Sequence, residues 1–183
     1  MTIRRLSTRE VYRNPWMSVR EDEVERSNGT RGIYGVVEKH DSAIIIAIED
    51  VHLILVEQFR YPIGERSLEF PQGSLEQSGL DPLEIARGEL REETGIQPDH
   101  LEYLGEIFIA IGYSGQKTHA FLATGLKHGP NSPDDEEHDL KVLKIGVSEF
   151  EQLIRENKIK DAQTLAAWAL YKTRTGAQPK TNP

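Results

Sequence analysis

GELREETGI, at residues 88–96, is the stretch of sequence that most constrains the fold. A helix turns through about 100° per residue, so Glu89, Glu92 and Glu93 are expected on one face of a helix. Like charges at this spacing repel one another unless a cation binds to them. Carboxylate oxygens suit Mg²⁺ and Mn²⁺. The stretch therefore predicts a metal-binding helix, and a solvated acidic face is the plainer alternative.

The flanking residues predict where this helix begins and ends. Asp81 is a typical N-cap, and Pro82 follows it at the first helical position, where its missing N–H costs nothing. Gly95 stands where the helix would end in a left-handed residue. An apolar stripe beside the acidic face is formed by Leu83, Ala86 and Leu90. Upstream, residues 67–73 predict a short strand that runs into a Pro/Gly turn.

Residues 73–96 resemble the signature box of the Nudix hydrolases, G-x5-E-x7-R-E-U-x-E-E-x-G-U, in which U is aliphatic. The chain matches the glycine at Gly73 and the second half of the pattern from Glu89 to Ile96. The resemblance implies a catalytic site for diphosphates that uses Mg²⁺ or Mn²⁺. The implied metal ligands are the carbonyl of Gln72 and the carboxylates of Glu89, Glu92 and Glu93.

The chain also departs from this pattern. Fifteen residues separate Gly73 from Glu89, one more than the pattern allows, so the loop around residues 77–79 is expected to hold an insertion. The family's mid-loop glutamate then falls on Leu80, and its arginine falls on Gly88. The metal carboxylates are present, whereas the glutamate and arginine that would support them are replaced, and losing such support costs roughly 10–100-fold in activity.

The length, the net charge and the composition of the chain agree with one soluble domain. The chain has 183 residues, a net charge of −8 and no cysteine, which excludes disulfides, thiol catalysis and Cys-ligated zinc. The acidic balance and the absence of a dense basic patch argue against duplex nucleic acid as a partner. No apolar run follows the first residues, and no stretch is long enough for a membrane span, so a cytoplasmic protein is expected.

The order of predicted elements is that of an α/β protein. We expect an N-terminal β unit over residues 1–40, a Nudix hydrolase domain over 41–175 and a disordered tail over 176–183. The predicted strands cover residues 17–25, 31–40, 43–48, 53–56, 103–109, 118–124 and 140–145, with an Asn28-Gly29 hairpin turn. A capping box at Ser148 opens one late helix and Asp161 caps the last, whose apolar face would be Leu165, Trp168 and Ala169.

This order resembles the Nudix α/β/α sandwich with a mixed sheet, plus an N-terminal antiparallel β unit. Three segments resemble the branch of ADP-ribose and nucleoside-diphosphate-sugar pyrophosphatases, namely EQFRYP at 57–62, GYS at 112–114 and IKDAQT at 159–164. That resemblance implies a nucleotide-sugar substrate and a homodimer whose N-terminal strands help to form the base pocket. Two alternatives stay open. FPQG at 70–73 resembles dinucleoside-polyphosphate and RNA 5′-pyrophosphate hydrolases, and Leu80 and Gly88 would suit a non-catalytic nucleotide-binding member.

The resemblance also implies which residues form the site. The substrate would be bound by Arg60, Glu69, Gly73, Trp16 and Tyr113. An arginine at a strand end is as often a surface ion-pair partner, and Trp16 is more often a core or dimer residue. The candidate catalytic residues are Glu92 and, in the acidic loop at 134–139, Glu136 and Glu137, one of which would serve as the general base. A charge run of this kind is otherwise a solvated loop.

Overall fold

The N-terminal region forms an antiparallel sheet of its own. The computed structural model describes residues 3–74, 81–130, 139–174 and 176. The first sheet has the strand order β1-β2-β3, with β1 at Ile3–Arg13, β2 at Ser18–Arg26 and β3 at Arg31–Glu38. Gly29 adopts a φ of 81° in the turn between β2 and β3, which confirms the predicted hairpin.

A mixed seven-stranded sheet forms the centre of the rest of the chain. Its strands are β4 Ser42–Glu49, β5 His52–Arg60, β6 Glu65–Glu69, β7 Gln72–Ser74, β8 Ile96–Phe108, β9 Lys117–His128 and β10 Lys141–Gly146. The main order is β10-β5-β4-β9-β8, with β6 beside β5 and β7 beside β4. The β4–β9 pair is parallel, and the other pairs are antiparallel.

Helices cover both faces of this sheet. They are α1 at Pro82–Thr94, α2 at Val147–Arg155 and α3 at Ala162–Arg174. Successive side chains of a strand point to opposite faces, so β4 contributes Ile44 and Ile46 to one core and Ala43, Ile45 and Ala47 to the other. Helices α2 and α3 pack on the first core and α1 packs on the second. The predicted α/β/α sandwich is confirmed.

The ends of α1 agree with the sequence. The side chain of Asp81 accepts a hydrogen bond from the N–H of Leu83, Pro82 begins the helix, and Gly95 ends it in the left-handed conformation. Asp161 caps α3, because its Oδ2 accepts from the N–H of Thr164 at 2.8 Å. Among the described residues, no helix is long and apolar enough to cross a membrane.

Four details of the prediction were wrong. Strand β1 was missed, because its residues are mostly exposed and show no apolar alternation. Gly73 lies in the short strand β7 rather than in a turn. Helix α2 begins at Val147, two residues earlier than expected, and its N-cap is Gly146 rather than Ser148, without a side-chain cap. Ala169 is exposed on α3, where Ala167 is the buried alanine.

Candidate functional site

Gly73 provides a close approach between the sheet and α1. A Cβ atom at this position would lie 2.2 Å from Oε2 of Glu89 and 2.3 Å from its Cδ and Oε1. Real Cβ atoms do not approach other heavy atoms so closely, so only glycine leaves room for this carboxylate beside the backbone. The glycine of the box therefore has a steric function in this chain, which is to bring Glu89 against β7.

Glu93 reaches the same backbone from the next turn of α1. Its side chain is fully buried, and its Oε2 accepts a hydrogen bond from the N–H of Gln72 at 3.0 Å. Burial of a carboxylate is costly without hydrogen bonds to satisfy it. Glu92 differs, because its side chain is partly exposed and lies 3.5 Å from the guanidinium of Arg91. Two of the three predicted metal carboxylates thus meet at Gln72–Gly73.

The donor atoms gathered here fit a hard divalent cation. Two carboxylates, Glu89 and Glu93, approach one backbone segment, and oxygen ligands are those that Mg²⁺ and Mn²⁺ prefer. Mg²⁺ commonly takes only one or two carboxylates from a protein and completes its shell with water and phosphate oxygens. Within the described residues, no three His, Asp or Glu side chains are gathered as a metal site.

Gly88 leaves open space beside this helix face. The nearest atom to a Cβ built at Gly88 is Oε1 of Glu92, at 3.8 Å, which is an ordinary contact distance. The glycine that replaces the family's arginine is therefore not required by packing.

The side chain of Gln72 lies on the opposite face of β7 and joins a buried polar network. Its Nε2 donates to Oε2 of Glu69 at 2.7 Å and to Oδ2 of Asp161 at 3.3 Å. Because both acceptors are carboxylates, the amide must present its NH₂ group to them. One residue thus connects the two faces: its backbone N–H binds Glu93 on the α1 side, and its side chain binds residues on the α3 side.

Arg60 and Glu69 form an ion pair next to this network. Nε of Arg60 donates to Oε1 of Glu69 at 2.9 Å, and a second guanidinium nitrogen binds Oε2. Burial disfavours the charged form of Glu69, but hydrogen bonding to Arg60 and its charge outweigh burial, so the pKa of Glu69 lies below its ordinary value. The same hydrogen bonds raise the pKa of Arg60. Glu69 is therefore ionised at neutral pH.

A cavity of about 720 Å³ opens beside this pair. Its charged lining residues are Lys39, Arg60, Glu65, Glu69, Lys160 and Asp161. Its neutral polar lining includes Ser42, Gln72, Gln116 and Gln163, and Gly73 also lines it. No aromatic ring is among the described lining residues. Apolar surface is added by Pro62, Ile63, Ile109 and Ala162. The volume, the charged groups and the lack of an aromatic ring among the described lining residues suit a sugar-phosphate group better than a nucleobase, which is usually bound by stacking.

The structure brings some of the predicted site residues together. Arg60, Glu69, Gln72 and Gly73 line the cavity, and Glu89 and Glu93 lie against its β7 wall. Trp16 is 56% exposed and Tyr113 is 57% exposed, and neither lines the cavity. Glu136, Glu137 and Leu80 lie outside the described residues, so the predictions for them stay untested.

Sequence reasoning missed several residues that line the cavity. Lys39 and Ser42 belong to no motif, whereas Gln163 lies in the IKDAQT segment at 159–164. The only available signal was the resemblance at residues 159–164, from which Asp161 was interpreted as a helix cap alone. Asp161 does cap α3, and it also binds Gln72.

Two family models match the chain in agreement with this geometry. The NUDIX domain matches residues 38–168, and the nucleoside diphosphate sugar hydrolase N-terminal domain matches residues 3–37. The chain belongs to the NUDIX family. The prediction of a Nudix hydrolase is confirmed.

Two named relatives and one solved structure are similar to the chain over most of its length. The ADP-ribose pyrophosphatase of Mycobacterium tuberculosis is 29% identical over 179 residues, which cover 96% of this chain and 86% of the relative. The methanol dehydrogenase activator of Bacillus methanolicus is 29% identical and covers 88% of both chains. The crystal structure of an ADP compounds hydrolase superposes with a TM-score of 0.86 at 24% identity and covers 99% of this chain and 98% of that chain, so the Nudix fold is shared.

Proposed function

We propose that this protein hydrolyses the diphosphate of ADP-ribose or a related nucleoside diphosphate sugar, giving a nucleoside monophosphate and a sugar phosphate. The observation that carries the proposal is the meeting of Glu89 and Glu93 at the Gln72–Gly73 backbone, next to a polar cavity. Relatives named ADP-ribose pyrophosphatase, in Mycobacterium tuberculosis and Bacillus subtilis, support this substrate class.

The charge of a diphosphate determines what the site must do. Water has to approach a phosphorus atom that is surrounded by negative oxygens. A divalent cation such as Mg²⁺ or Mn²⁺, when bound, neutralises phosphate oxygens and lowers the pKa of water. Glu89, Glu93 and the carbonyl of Gln72 would hold it, with Glu92 as a further ligand after it leaves Arg91. The carboxylates therefore serve binding and orientation rather than nucleophilic attack.

The remaining chemistry needs a proton acceptor. In the proposed reaction, water oxygen bonds to one phosphorus, the bridging P–O bond breaks, and the bridging oxygen leaves with the other phosphate. A carboxylate accepts the proton of the attacking water. Glu136 and Glu137 are the candidates for this general base, as expected from the sequence, together with Glu92.

Arg60 and Glu69 are proposed to bind the substrate from the cavity side. The guanidinium of Arg60 uses two nitrogens on Glu69, which fixes its plane and leaves its remaining N–H groups for phosphate oxygens. Glu69 can accept hydrogen bonds from sugar hydroxyls. Both roles are consistent with the position of the pair in the cavity wall.

We also propose that the protein is a homodimer that forms through the N-terminal sheet. The sheet exposes large apolar side chains, namely Ile3, Val11, Tyr12 and Ile33, and Trp16 is exposed at the turn after β1. In a dimer, Trp16 would stack on the nucleobase of a substrate bound by the other copy, and Tyr113 would contact the sugar.

Analytical ultracentrifugation of the full chain tests the dimer. A monomer at micromolar concentration would contradict it. A cytoplasmic location is part of the same proposal.

The substrate proposal is tested by product analysis across a panel. Five compounds are each incubated with Mg²⁺ or Mn²⁺, with and without chelator. They are ADP-ribose, GDP-mannose, UDP-glucose, a diadenosine polyphosphate and 5′-triphosphorylated RNA. We expect chelator-sensitive release of AMP from ADP-ribose to exceed turnover of the other compounds. Preference for the diadenosine polyphosphate or RNA would show that the substrate belongs to that class and not to the nucleoside diphosphate sugars. No turnover of any compound would indicate a non-catalytic nucleotide-binding protein.

A further inference from the structure

The three cations that line the cavity differ in how their charges are balanced. Arg60 pairs with Glu69, and Nζ of Lys160 lies 2.8 Å from Oε2 of Glu65. Lys39 has no ion-pair partner within 4.0 Å among the described residues. Lys39 therefore supplies the uncompensated positive charge of this lining.

The segment that carries Lys39 is held in place from β9. Nε2 of Gln116 donates to the carbonyl of His40 at 2.7 Å, and the N–H of Lys117 donates to Oδ1 of Asp41 at 2.9 Å. These two hydrogen bonds fix the residues that directly follow Lys39. Its backbone is thus anchored beside the cavity that its residue lines.

A buried hydroxyl pair orients Gln163 in the same cavity. Oγ of Ser42 lies 2.7 Å from Oγ1 of Thr118, and the hydroxyl of Thr118 donates to Oε1 of Gln163 at 2.5 Å. Thr118 is fully buried. Because the amide oxygen is used by Thr118, the NH₂ end of Gln163 is the group left for a ligand. Such a group donates hydrogen bonds to oxygen acceptors.

We propose that Lys39 and Gln163 together bind the phosphate oxygens of the substrate. The inference rests on the proposed function and names two further binding residues for it. Phosphate oxygens accept hydrogen bonds and carry negative charge, so a free ammonium and an oriented amide donor complement them. Arg60 still offers N–H donors to the phosphate, but the net charge of the other lining residues adds little attraction, because both of their cations are paired and three carboxylates repel phosphate.

The test is equilibrium binding of ADP-ribose and of inorganic pyrophosphate, measured by calorimetry in the presence of chelator so that hydrolysis does not occur. Lys39→Met should weaken binding of both probes about tenfold, as expected for one charge-assisted hydrogen bond. Lys160→Met removes a lysine from the same cavity whose charge is balanced by Glu65, so its effect should stay below about threefold. Lys158→Met, outside the cavity, is the control for charge alone.

Gln163 is tested by a pair of substitutions. Gln163→Met removes the donor and should weaken binding about threefold, within the range for a neutral hydrogen bond. Gln163→Glu keeps an acceptor for Thr118 but turns a negative charge toward the phosphate, so it should bind more weakly than Gln163→Met. Equal affinities for the two variants would contradict a phosphate contact.

The outcomes separate this inference from the proposed function. If the wild-type protein binds both probes and Lys39→Met binds as Lys158→Met does, the Lys39 contact is wrong, whatever the hydrolysis assay shows. If Lys39→Met weakens binding while Mg²⁺ and Mn²⁺ support no turnover, the phosphate contact stands and the hydrolase proposal fails. A wild-type protein that binds neither probe overturns the inference. The dependence of affinity on salt should also decrease in Lys39→Met, because one fewer charge is involved.

Discussion

The two faces of strand β7 differ in how the chain builds them. On the α1 face, Glu89 and Glu93 come from one helix and reach the Gln72–Gly73 backbone within a span of four residues. On the α3 face, the side chain of Gln72 binds Glu69 at the end of β6 and Asp161 at the start of α3. The first face is a local arrangement and the second is assembled from distant segments. The proposed metal site can therefore be found from a motif, whereas the proposed substrate cavity depends on the tertiary fold.

The largest effect is expected on the α1 face. Glu93→Gln removes a charge that the proposed reaction uses to hold a cation, which should lower kcat by about 1000-fold, equivalent to about 4 kcal/mol of transition-state stabilisation. The amide oxygen of glutamine can still accept from the N–H of Gln72, so the fold should persist. Steady-state kinetics with ADP-ribose and a circular dichroism melt measure the two properties. Full activity in this variant would contradict the metal assignment.

A smaller loss is expected from Gly73→Ala. The new methyl group would lie 2.2 Å from Oε2 of Glu89, so the carboxylate has to move away from β7. A flexible side chain moves at little cost, so we expect about 10–100-fold less activity with a change in unfolding free energy below about 1 kcal/mol.

Gly146→Ala is the matched control for Gly73→Ala, because it lies in strand β10 and a Cβ there meets nothing within 4 Å. It should leave activity unchanged, and only activity is compared, because Gly146 is also the N-cap of α2. Equal losses in the two variants would show that the close approach of Glu89 is unimportant.

On the α3 face, the expected effect is on stability and its dependence on pH. Glu69→Gln leaves Arg60 and Gln72 with one amide oxygen where they had two carboxylate oxygens, at a cost of about 1–3 kcal/mol at pH 7. The pKa of Glu69 is lowered in the folded protein from an ordinary value of 4.5. Its stabilising contribution is therefore present above that pH and is lost as the pH falls through the folded pKa.

Urea denaturation between pH 7 and pH 3 measures this difference. The gap between the wild-type protein and Glu69→Gln should be constant from pH 7 to about pH 5 and then shrink as the carboxylate becomes protonated. A gap that stays constant down to pH 3 would mean that the charge of Glu69 does not contribute to stability.

The contrast between the faces also explains what could be predicted from the sequence. Helix α1 was predicted at both ends, because Asp81, Pro82 and Gly95 act through local backbone geometry. The apolar runs of β4 and β5 predicted these two buried strands equally well. Strand β1 was missed because 10 of its 11 residues are exposed and give no apolar pattern. Gln163 and Lys39 were missed as cavity residues because their position there depends on which distant segments meet, and no local spacing encodes that meeting.

Glu92 shows the limit of the helical argument on the better-predicted face. Spacing placed all three glutamates on one side of α1, but the structure divides them. Glu93 is buried against Gln72, whereas Glu92 is turned toward Arg91. A spacing of three or four residues fixes the direction of Cβ and not the rotamer that follows. The rotamer depends on the neighbouring side chains, among which Gly88 contributes none.

The smallest effect is expected at Gly88, and it tests whether this departure from the Nudix box weakens the site. Gly88→Ala should stabilise the protein by about 0.5–1 kcal/mol, because alanine has the higher helix propensity and the space beside it is open, with Oε1 of Glu92 at 3.8 Å. Gly88→Arg restores the family residue and should stabilise similarly, with activity equal to or above that of wild type, since a guanidinium there can orient Glu92. Thermal melts of both variants measure the change in stability, and kcat measures the change in activity. If Gly88→Arg gains activity and Gly88→Ala does not, the missing arginine is a functional loss; if both leave kcat unchanged, the pair Glu89–Glu93 is sufficient without that support.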